Sequence, residues 1–547
     1  MPNQASVQSV DAPVIIAGAG PAGMCIAIDL AQRGVPSIIL ESRSKDARFA
    51  ARTNLTNTRS MEHFRRWGMS DALRKNIPLG PEVSRDIRFV TRGKGHVVAN
   101  FPNGVQFAER APFASEVSLW GPQGAIERTI RDRVAALPLI EVRFEATVTE
   151  FSQTADSVTV SYTNAQGEVE QVSGQYFVGT DGSRSQVRKQ LGIKMAGIAN
   201  LVYGYSWLFH SPELKKIMLE NTGLVAMTWF TNEDRSSAML VPQDSDGNFQ
   251  YFAAPVDEEF DGNDWEAVRS KLFADIGAEF PTEPISGGEL WIHSLCAPRF
   301  KEGRVFLAGD AAHLVSPFGG FGMNTSIGDS ADLAWKLAAV IQGWGGEKLL
   351  DSYCSERRSI LSWIQALCEE STKHVGPAYV REGMEENSPA GQAIRTELGE
   401  IIVGTKSREF VSIGAQLGYV YRNSPITVSD GKEAPESGFG NYVSSAAAGA
   451  RAPHVWLGDE SLYDRFGQGF TLLRVNNDDG VDALVQAAER RGIPLKVLSV
   501  EHAELPALYE ARLALIRPDQ HVAWRGNALP QDADALLATV TGSTAGA

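Results

Sequence analysis

Near its start the chain alternates short apolar runs with helical periodicity. Val14-Ile15-Ile16-Ala17 is continuously apolar, as a strand buried on both faces must be. A helical run from Met24 to Arg33 follows, then a second apolar run, Ser37-Ile38-Ile39-Leu40, which Glu41 closes. Much later, Gly303-Arg304-Val305-Phe306-Leu307-Ala308 predicts another short buried strand, a turn, and a helix from about Asn324 to Ile341. A helical stretch from about Leu349 to Met384 comes next. Between these parts the period drops to two. The segments Thr147–Ser152, Ser157–Tyr162 and Gln175–Gly179 alternate with turn residues and predict an antiparallel meander. Further strands are predicted at Asp86–Val90, Val202–Leu208, Ala226–Phe230 and Phe249–Ala253, together forming a sheet whose aromatic residues either line a pocket or pack a core.

The glycines Gly18, Gly20 and Gly23 fall between the first strand and its helix. In that position the first permits a tight turn, the second lets backbone approach a pyrophosphate, and the third lets helix and strand pack closely. The N–H groups and dipole of the helix then face the phosphates. Ala22 belongs to the same turn, and Ser42 and Arg43, directly after Glu41, complete the candidate cofactor-binding set at this end. Glu41 ends the second strand, where its carboxylate can accept hydrogen bonds from both ribose hydroxyls and would repel a 2′-phosphate. The pattern suits FAD or NAD rather than NADP.

A second glycine-rich segment, Gly309-Asp310-Ala311-Ala312-His313 continuing through Pro317-Phe318-Gly319-Gly320-Phe321-Gly322-Met323-Asn324, resembles the flavin-dependent aromatic hydroxylases of the para-hydroxybenzoate hydroxylase fold. The resemblance implies that Asp310 binds ribityl or ribose hydroxyls of FAD and that Met323 and Asn324 present backbone N–H groups to the flavin. It also implies that Pro317 borders both flavin and substrate ring, and that Gly319, Gly320 and Gly322 admit the ring without a side-chain clash. Val178-Gly179-Thr180-Asp181-Gly182 resembles the family's Asp-Gly segment, which makes Asp181 a further cofactor-binding candidate. Arg52, in an arginine-rich loop, and Gln123, opening a helix, occupy FAD-contact positions of the family. The loop departs from the family pattern at Leu55 and Thr56. In phenol-hydroxylating relatives the position of Asn54 is often an aspartate facing the substrate hydroxyl. Asn54 cannot take that proton, but it can orient a hydroxyl, so Asn54 and Pro317 are the catalytic candidates.

Composition narrows the setting. A chain of 547 residues is several times the ~150 of a typical domain, and 43% hydrophobic content can bury large cores. The net charge of −15 argues against a nucleic-acid partner. No apolar run approaches the ~20 residues of a membrane span, and the start lacks a basic region followed by an apolar core, so a cytoplasmic protein is expected. Cys25, Cys296, Cys354 and Cys368 form neither a Cys-x-x-Cys pair nor a metal-ligand pattern, which excludes disulfide-reductase chemistry and leaves no metal site.

Residues after about 422 are punctuated by Gly, Ser and Pro, and the segments around His454, Ser461–Phe466 and Arg517–Arg525 resemble the thioredoxin-like C-terminal domain of larger phenol hydroxylases. That region has no cysteine, hence no thiolate, so its expected role is structural, supporting a homodimer or covering the substrate side. The expected fold is α/β: a Rossmann-type FAD-binding domain with an inserted β-sheet substrate domain and a C-terminal thioredoxin-like domain. The expected boundaries are 12–80, 112–190 and 285–365 for the FAD-binding domain and 81–111 and 191–284 for the substrate domain. A helical connector spans 366–425, and 426–547 is the thioredoxin-like domain. By resemblance, FAD reduced by NAD(P)H reacts with O2 to form a C4a-hydroperoxide, which a small hydroxyaromatic ring attacks. No second glycine fingerprint exists, so NAD(P)H docks transiently. Baeyer–Villiger or other flavin oxygenation of a polycyclic or polyketide substrate remains an alternative, as does a non-catalytic FAD-fold protein. The Trp-x-Trp-x-Ile-Pro segment of tryptophan halogenases does not occur.

Overall fold

The computed structural model describes residues 10–47, 53–104, 110–373 and 377–543. Its central sheet has six strands in the order Lys301–Glu302, Val305–Leu307, Tyr176–Gly179, Val14–Ala17, Ser37–Glu41 and Ile140–Phe144. All but the Lys301–Glu302 edge run parallel. Val14–Ala17 is buried throughout, which is why its sequence is apolar without alternation. Helices Pro21–Gln32 and Phe321–Ile341 pack against one another on this sheet, locked where Ser330 Oγ donates to Ala22 O at 3.0 Å. The C-terminal ends of Val14–Ala17 and Tyr176–Gly179 therefore open side by side onto one crevice, where an open α/β sheet binds ligands.

A second sheet of eight strands follows the order His313–Leu314, Glu283–Cys296, Ala196–His210, Asn248–Ala253, Ala238–Pro242, Val225–Phe230, Ser84–Val90 and Val97–Phe101. The four strands expected from the alternating pattern all lie in it. Glu283–Cys296 carries this sheet past the boundary expected at 284. One face buries Phe89, Trp229, Phe252 and Ile292 under Phe318, Tyr379 and the helix Pro389–Phe410.

The meander differs from the sequence reading in its third strand. Thr147–Gln153, Val158–Thr163 and Val169–Gly174 form a separate three-stranded sheet, whereas Tyr176–Gly179 pairs in parallel with Val14–Ala17. The cause is burial. Val169–Gly174 is a half-exposed edge with mixed polarity and gives little periodic signal, while Tyr176–Gly179 is buried along its whole length. Of the helix expected to run to Met384, Glu347–Lys373 is described as helical, and Pro377–Tyr379 forms a 3-10 turn.

Residues 470–540 form the expected thioredoxin-like layer, a four-stranded sheet ordered Leu495–Val500, Phe470–Val475, Leu513–Ile516, Val522–Gly526, with helices Asp482–Arg490 and Ala533–Val540. Its seam with the first domain is built from buried polar groups. Glu62 receives Arg59 and Arg451, and Arg59 also donates to Asp519 O at 2.7 Å and Gln520 Oε1 at 2.8 Å. Three histidines sit in or beside this seam. Burial, with Arg451 nearby, pushes His454 down to about 4, and burial opposed by Asp519 leaves His521 at about 3. Burial also pushes His63 well below its ordinary value.

These imidazoles are depressed bases, so the unfolded chain binds protons that the folded protein refuses. Stability is complete above pH ~6.5 and falls as pH drops from there toward about 4 for His454 and about 3 for His521. Each contributes a slope of up to ~1.4 kcal/mol per pH unit. Urea midpoints measured from pH 8 to pH 4 should stay level and then decline, and His454→Gln should shallow the decline. An unchanged slope in that variant would contradict the assignment.

Among the described residues no helix is long and apolar enough to cross a membrane, and no group of three or more His, Cys, Asp or Glu could hold a metal.

Candidate functional site

The crevice is built by close backbone contacts that only glycine allows. Gly18 has φ +101°, and a Cβ there would come within 2.6 Å of Thr180 O. A Cβ on Gly23 would strike Gly18 O and lie 2.6 Å from Thr180 Oγ1. Thr180 Oγ1 itself donates to Ala17 O at 2.7 Å, clamping the first turn to the Asp181 segment. Gly20 is different: a Cβ on it would meet nothing within 4 Å. It faces open space at the helix start, the arrangement a phosphate needs. Ala22 is buried against the Gly309 turn, where a Cβ on Gly309 would lie 3.2 Å from that of Ala22.

Glu41 is buried at the end of its strand, with Oε2 accepting from Ala19 N at 2.7 Å and Oε1 from Arg43 N at 2.8 Å and Arg43 Nε at 2.9 Å. Burial pushes its carboxyl up, but the bonds from Arg43 and Ala19 outweigh burial and hold it below its ordinary value. The carboxylate thus closes the glycine turn from below. Ser42 and Arg43 are exposed beside it.

Arg52 lies outside the described residues. The chain beyond it is stitched to the start of helix Gln123–Ala135: Gln123 N donates to Thr53 O at 3.0 Å, and Gly121 N donates to Asn54 O at 2.8 Å. Gln123 Nε2 donates to Glu127 Oε1 at 2.5 Å. Asn324 then fastens the same loop to the second helix, accepting from Asn57 N at 2.8 Å and donating to Leu55 O at 2.8 Å and Gly320 O at 2.6 Å.

Helix Phe321–Ile341 starts from Gly320 at φ +69°, in a loop whose turn is closed by Gly320 N donating to Pro317 O at 3.0 Å. Phe321, Gly322 and Met323 occupy the first three helical positions, whose N–H groups an α-helix leaves without internal acceptors. A Cβ on Gly322 would meet nothing within 4 Å, so backbone is open there. Pro317 is exposed at the loop tip. Asp310 sits in the short turn Gly309–Ala311, half-buried, beside the Gly18 crevice.

Two candidates are engaged differently from their sequence reading. The Asp181 carboxylate caps its own helix, accepting from Ser185 Oγ at 2.5 Å, Gln186 N at 2.7 Å and Val187 N at 3.2 Å. Its backbone, not its side chain, meets the Gly18 turn. The buried Asn54 amide ties its loop to the eight-stranded sheet: Oδ1 accepts from Gln243 Nε2 at 3.0 Å, and Nδ2 donates to Gln250 Oε1 at 3.2 Å, while Gln250 Nε2 continues to Ser206 Oγ at 3.0 Å. Sequence reasoning missed Gln243 and Gln250. Polar residues on the buried strands Ala238–Pro242 and Asn248–Ala253, or directly after them, were the available signal.

The family described as FAD binding domain matches residues 11–366, and that described as aromatic-ring hydroxylase, C-terminal, matches residues 445–544. The chain is 30% identical to the FAD-dependent monooxygenase apdD of Emericella nidulans, over 97% of this chain and 90% of that one. It is 28% identical to the phenol 2-monooxygenase of Pseudomonas sp. (strain EST1001), over 98% and 93%. Among solved structures, the rebeccamycin biosynthetic enzyme RebC with reduced flavin superposes with a TM-score of 0.88 at 32% identity, covering 97% of this chain and 99% of that one. The flavin-dependent monooxygenase PieE, in complex with FAD and substrate, gives a TM-score of 0.86 at 25% identity, covering 98% and 100%.

Proposed function

The chain belongs to the FAD-dependent aromatic-ring hydroxylases, and from that premise we propose how its own residues divide the work. It is a monooxygenase that uses NAD(P)H and O2 to hydroxylate a phenolic or related hydroxyaromatic compound. The residues fit FAD. Gly20 and Gly322 leave space at two helix N-termini, one suited to a diphosphate and one to the electron-rich edge of a flavin.

In our assignment the Gly18–Gly23 turn holds the pyrophosphate, Glu41 takes the adenosine ribose, and Asp310 takes the ribityl chain. Ser42, Arg43 and Gln123 border the adenosine and diphosphate. Asp181 acts by fixing the backbone that clamps Gly18. The N–H groups at Phe321, Gly322 and Met323 hold negative charge that builds on the flavin edge, and Asn324 acts by fastening that helix start to the Asn54 loop. Bound FAD, once reduced by NAD(P)H, supplies an electrophilic oxygen derived from O2. Phe318, in the Pro317–Gly320 loop, packs on Trp229 and Phe252 of the eight-stranded sheet, and in our assignment this apolar wall excludes water beside a flat ring. This juxtaposition of an aromatic wall with a helix start and a glycine crevice is the observation that carries the reading.

The test is NAD(P)H oxidation by the FAD-loaded enzyme across a panel of phenols and polycyclic hydroxyaromatics, with product mass. A gain of one oxygen on a ring carbon is expected. An ester or lactone product, or oxidation that no aromatic stimulates, would overturn it.

Asn54 spends one bond of each amide atom on Gln243 and Gln250, leaving a lone pair and an N–H for a substrate hydroxyl. Asn54→Ala should keep FAD yet raise KM or divert turnover to hydrogen peroxide, because two buried glutamines lose partners at ~1–3 kcal/mol each and the ring is held less well. Peroxide yield per NAD(P)H oxidised reads this directly. Unchanged coupling and KM would place Asn54 outside the substrate's reach.

A further inference from the structure

The Gly309–Asp310 turn is itself held from behind by a buried constellation centred on Asp329. Asp329, on the inner face of helix Phe321–Ile341 and 1% exposed, spends one carboxylate oxygen on two donors from the same short segment. Gly309 N donates to its Oδ2 at 3.0 Å, and His313 Nε2 lies 2.6 Å from the same atom. Its Oδ1 accepts from Arg357 Nε at 2.8 Å. Arg357, equally buried, also donates to Thr325 O at 3.1 Å in the first turns of that helix and to Tyr421 OH at 3.1 Å. Gly328 makes room for it, since a Cβ there would lie 2.6 Å from an Arg357 amine. Tyr421 in turn packs at a tilt against His521 of the C-terminal domain, ring centroids 4.4 Å apart.

Gly309 has φ +60°, and a Cβ on it would press within 3.2 Å of Ala22 and Ser326. The turn is thus wedged between two helices in a conformation that side chains avoid, and its direction is set by what its N–H binds. Burial raises the Asp329 carboxyl, but His313 and Arg357 bring it below its ordinary value, in keeping with an anion that three donors share. A charged acceptor on a backbone N–H is a strong, directional constraint.

We propose that Asp329, oriented by His313 and Arg357, is the positioning residue for the turn that carries Asp310, and so sets FAD affinity without contacting FAD. The proposal rests on the assignment of Asp310 to the ribityl chain. Arg357 further makes the thiol-free C-terminal domain a strut for the cofactor turn, through Tyr421 and His521.

The experiment is FAD titration of apoprotein by quenching of flavin fluorescence, in a double-mutant cycle between positions 310 and 329. Asp329→Asn should weaken FAD binding about 10- to 100-fold, the loss expected when one or two charged hydrogen bonds are broken. Acting through Asp310, it should add little in the Asp310→Ala background. His313→Gln, whose amide N–H replaces the ring Nε2–H, should retain most affinity that His313→Ala loses; this pair serves if Asp329→Asn does not fold. Additive losses at 310 and 329, or equal affinities for His313→Gln and His313→Ala, would overturn the positioning role alone. Undiminished FAD affinity in Asp310→Ala would overturn the ribityl assignment and this inference with it.

Discussion

Asp310→Ala is expected to purify without flavin colour and to bind added FAD at least 100-fold more weakly than the parent chain. A carboxylate on a polyol chain accepts charged hydrogen bonds worth ~1.5–3 kcal/mol each, and alanine leaves the hydroxyls facing a half-buried wall with no acceptor. Two such bonds lost correspond to a factor of roughly 10² to 10⁴ in affinity. The turn should keep most of its shape, because Asp329 holds Gly309 N and Gly309 itself is wedged between two helices. Folding should therefore be close to normal by circular dichroism, and the defect should show in the absorbance ratio at the flavin band. Full colour in the purified variant would remove Asp310 from the site. Glu41→Gln should be milder: its amide can keep the bond from Ala19 N, and only the bonds from Arg43 are lost.

The cofactor crevice was legible because it is made of backbone. Gly18 and Gly23 are glycines for reasons of space within 3 Å, so the residue type itself records the contact with Thr180. Glu41 and the Gly309–Asp310 pair follow continuous apolar runs that fix the ends of strands, which places them to within a residue. The eight-stranded sheet was legible only in outline. Its strands alternate well enough to be found, but strand order, the extension of Glu283–Cys296 and the covering helix Pro389–Phe410 depend on pairings between residues far apart in the chain. No periodicity encodes those pairings. Asp181 and Asn54 illustrate a subtler limit. The Asp181 carboxylate is taken up by a helix start only 4 to 6 residues further on, and the Asn54 amide by two glutamines 189 and 196 residues away, a tertiary contact that a motif does not carry.

The C-terminal domain was legible as a thioredoxin-like layer, and its seam with the rest of the chain is built from buried charged groups. Arg451 and Arg517, both buried, reach from it into the first domain, to Glu62 and to Glu356 and Asp332. Buried ion pairs are weak sources of net stability but strict about geometry, since a misplaced partner leaves an uncompensated charge. The seam therefore favours one docking orientation, with Tyr421 and His521 packed beside Arg357.

Arg517→Met should be the most destabilising single substitution in this seam. Arg517 NH1 donates to Glu356 Oε1 at 2.6 Å, and NH2 lies 3.0 Å from both Glu356 Oε2 and Asp332 Oδ1 and 2.6 Å from Asp519 Oδ2. Lys336 is the other cation of the group, at 2.8 Å from Asp332 and 2.6 Å from Glu356. All five side chains are within 2% of full burial. Two cations already face three carboxylates. Burial beside Glu356 and Asp519 pushes Asp332 up, while Arg517 and Lys336 outweigh burial and hold Glu356 low. Methionine fills the volume but leaves Lys336 alone against that charge, at a cost of ~3–5 kcal/mol. The loss should appear as undocking of the C-terminal domain before global unfolding, because the group joins the helices Phe321–Ile341 and Glu347–Lys373 to the Arg517–Asp519 turn. Limited proteolysis should then cut within residues 422–450 under conditions that leave the parent intact. Adding Asp519→Asn to Arg517→Met removes one of the stranded charges and should restore part of the resistance. Equal proteolysis of parent and Arg517→Met, with unchanged urea midpoints, would show that the buried network does not hold the domains together.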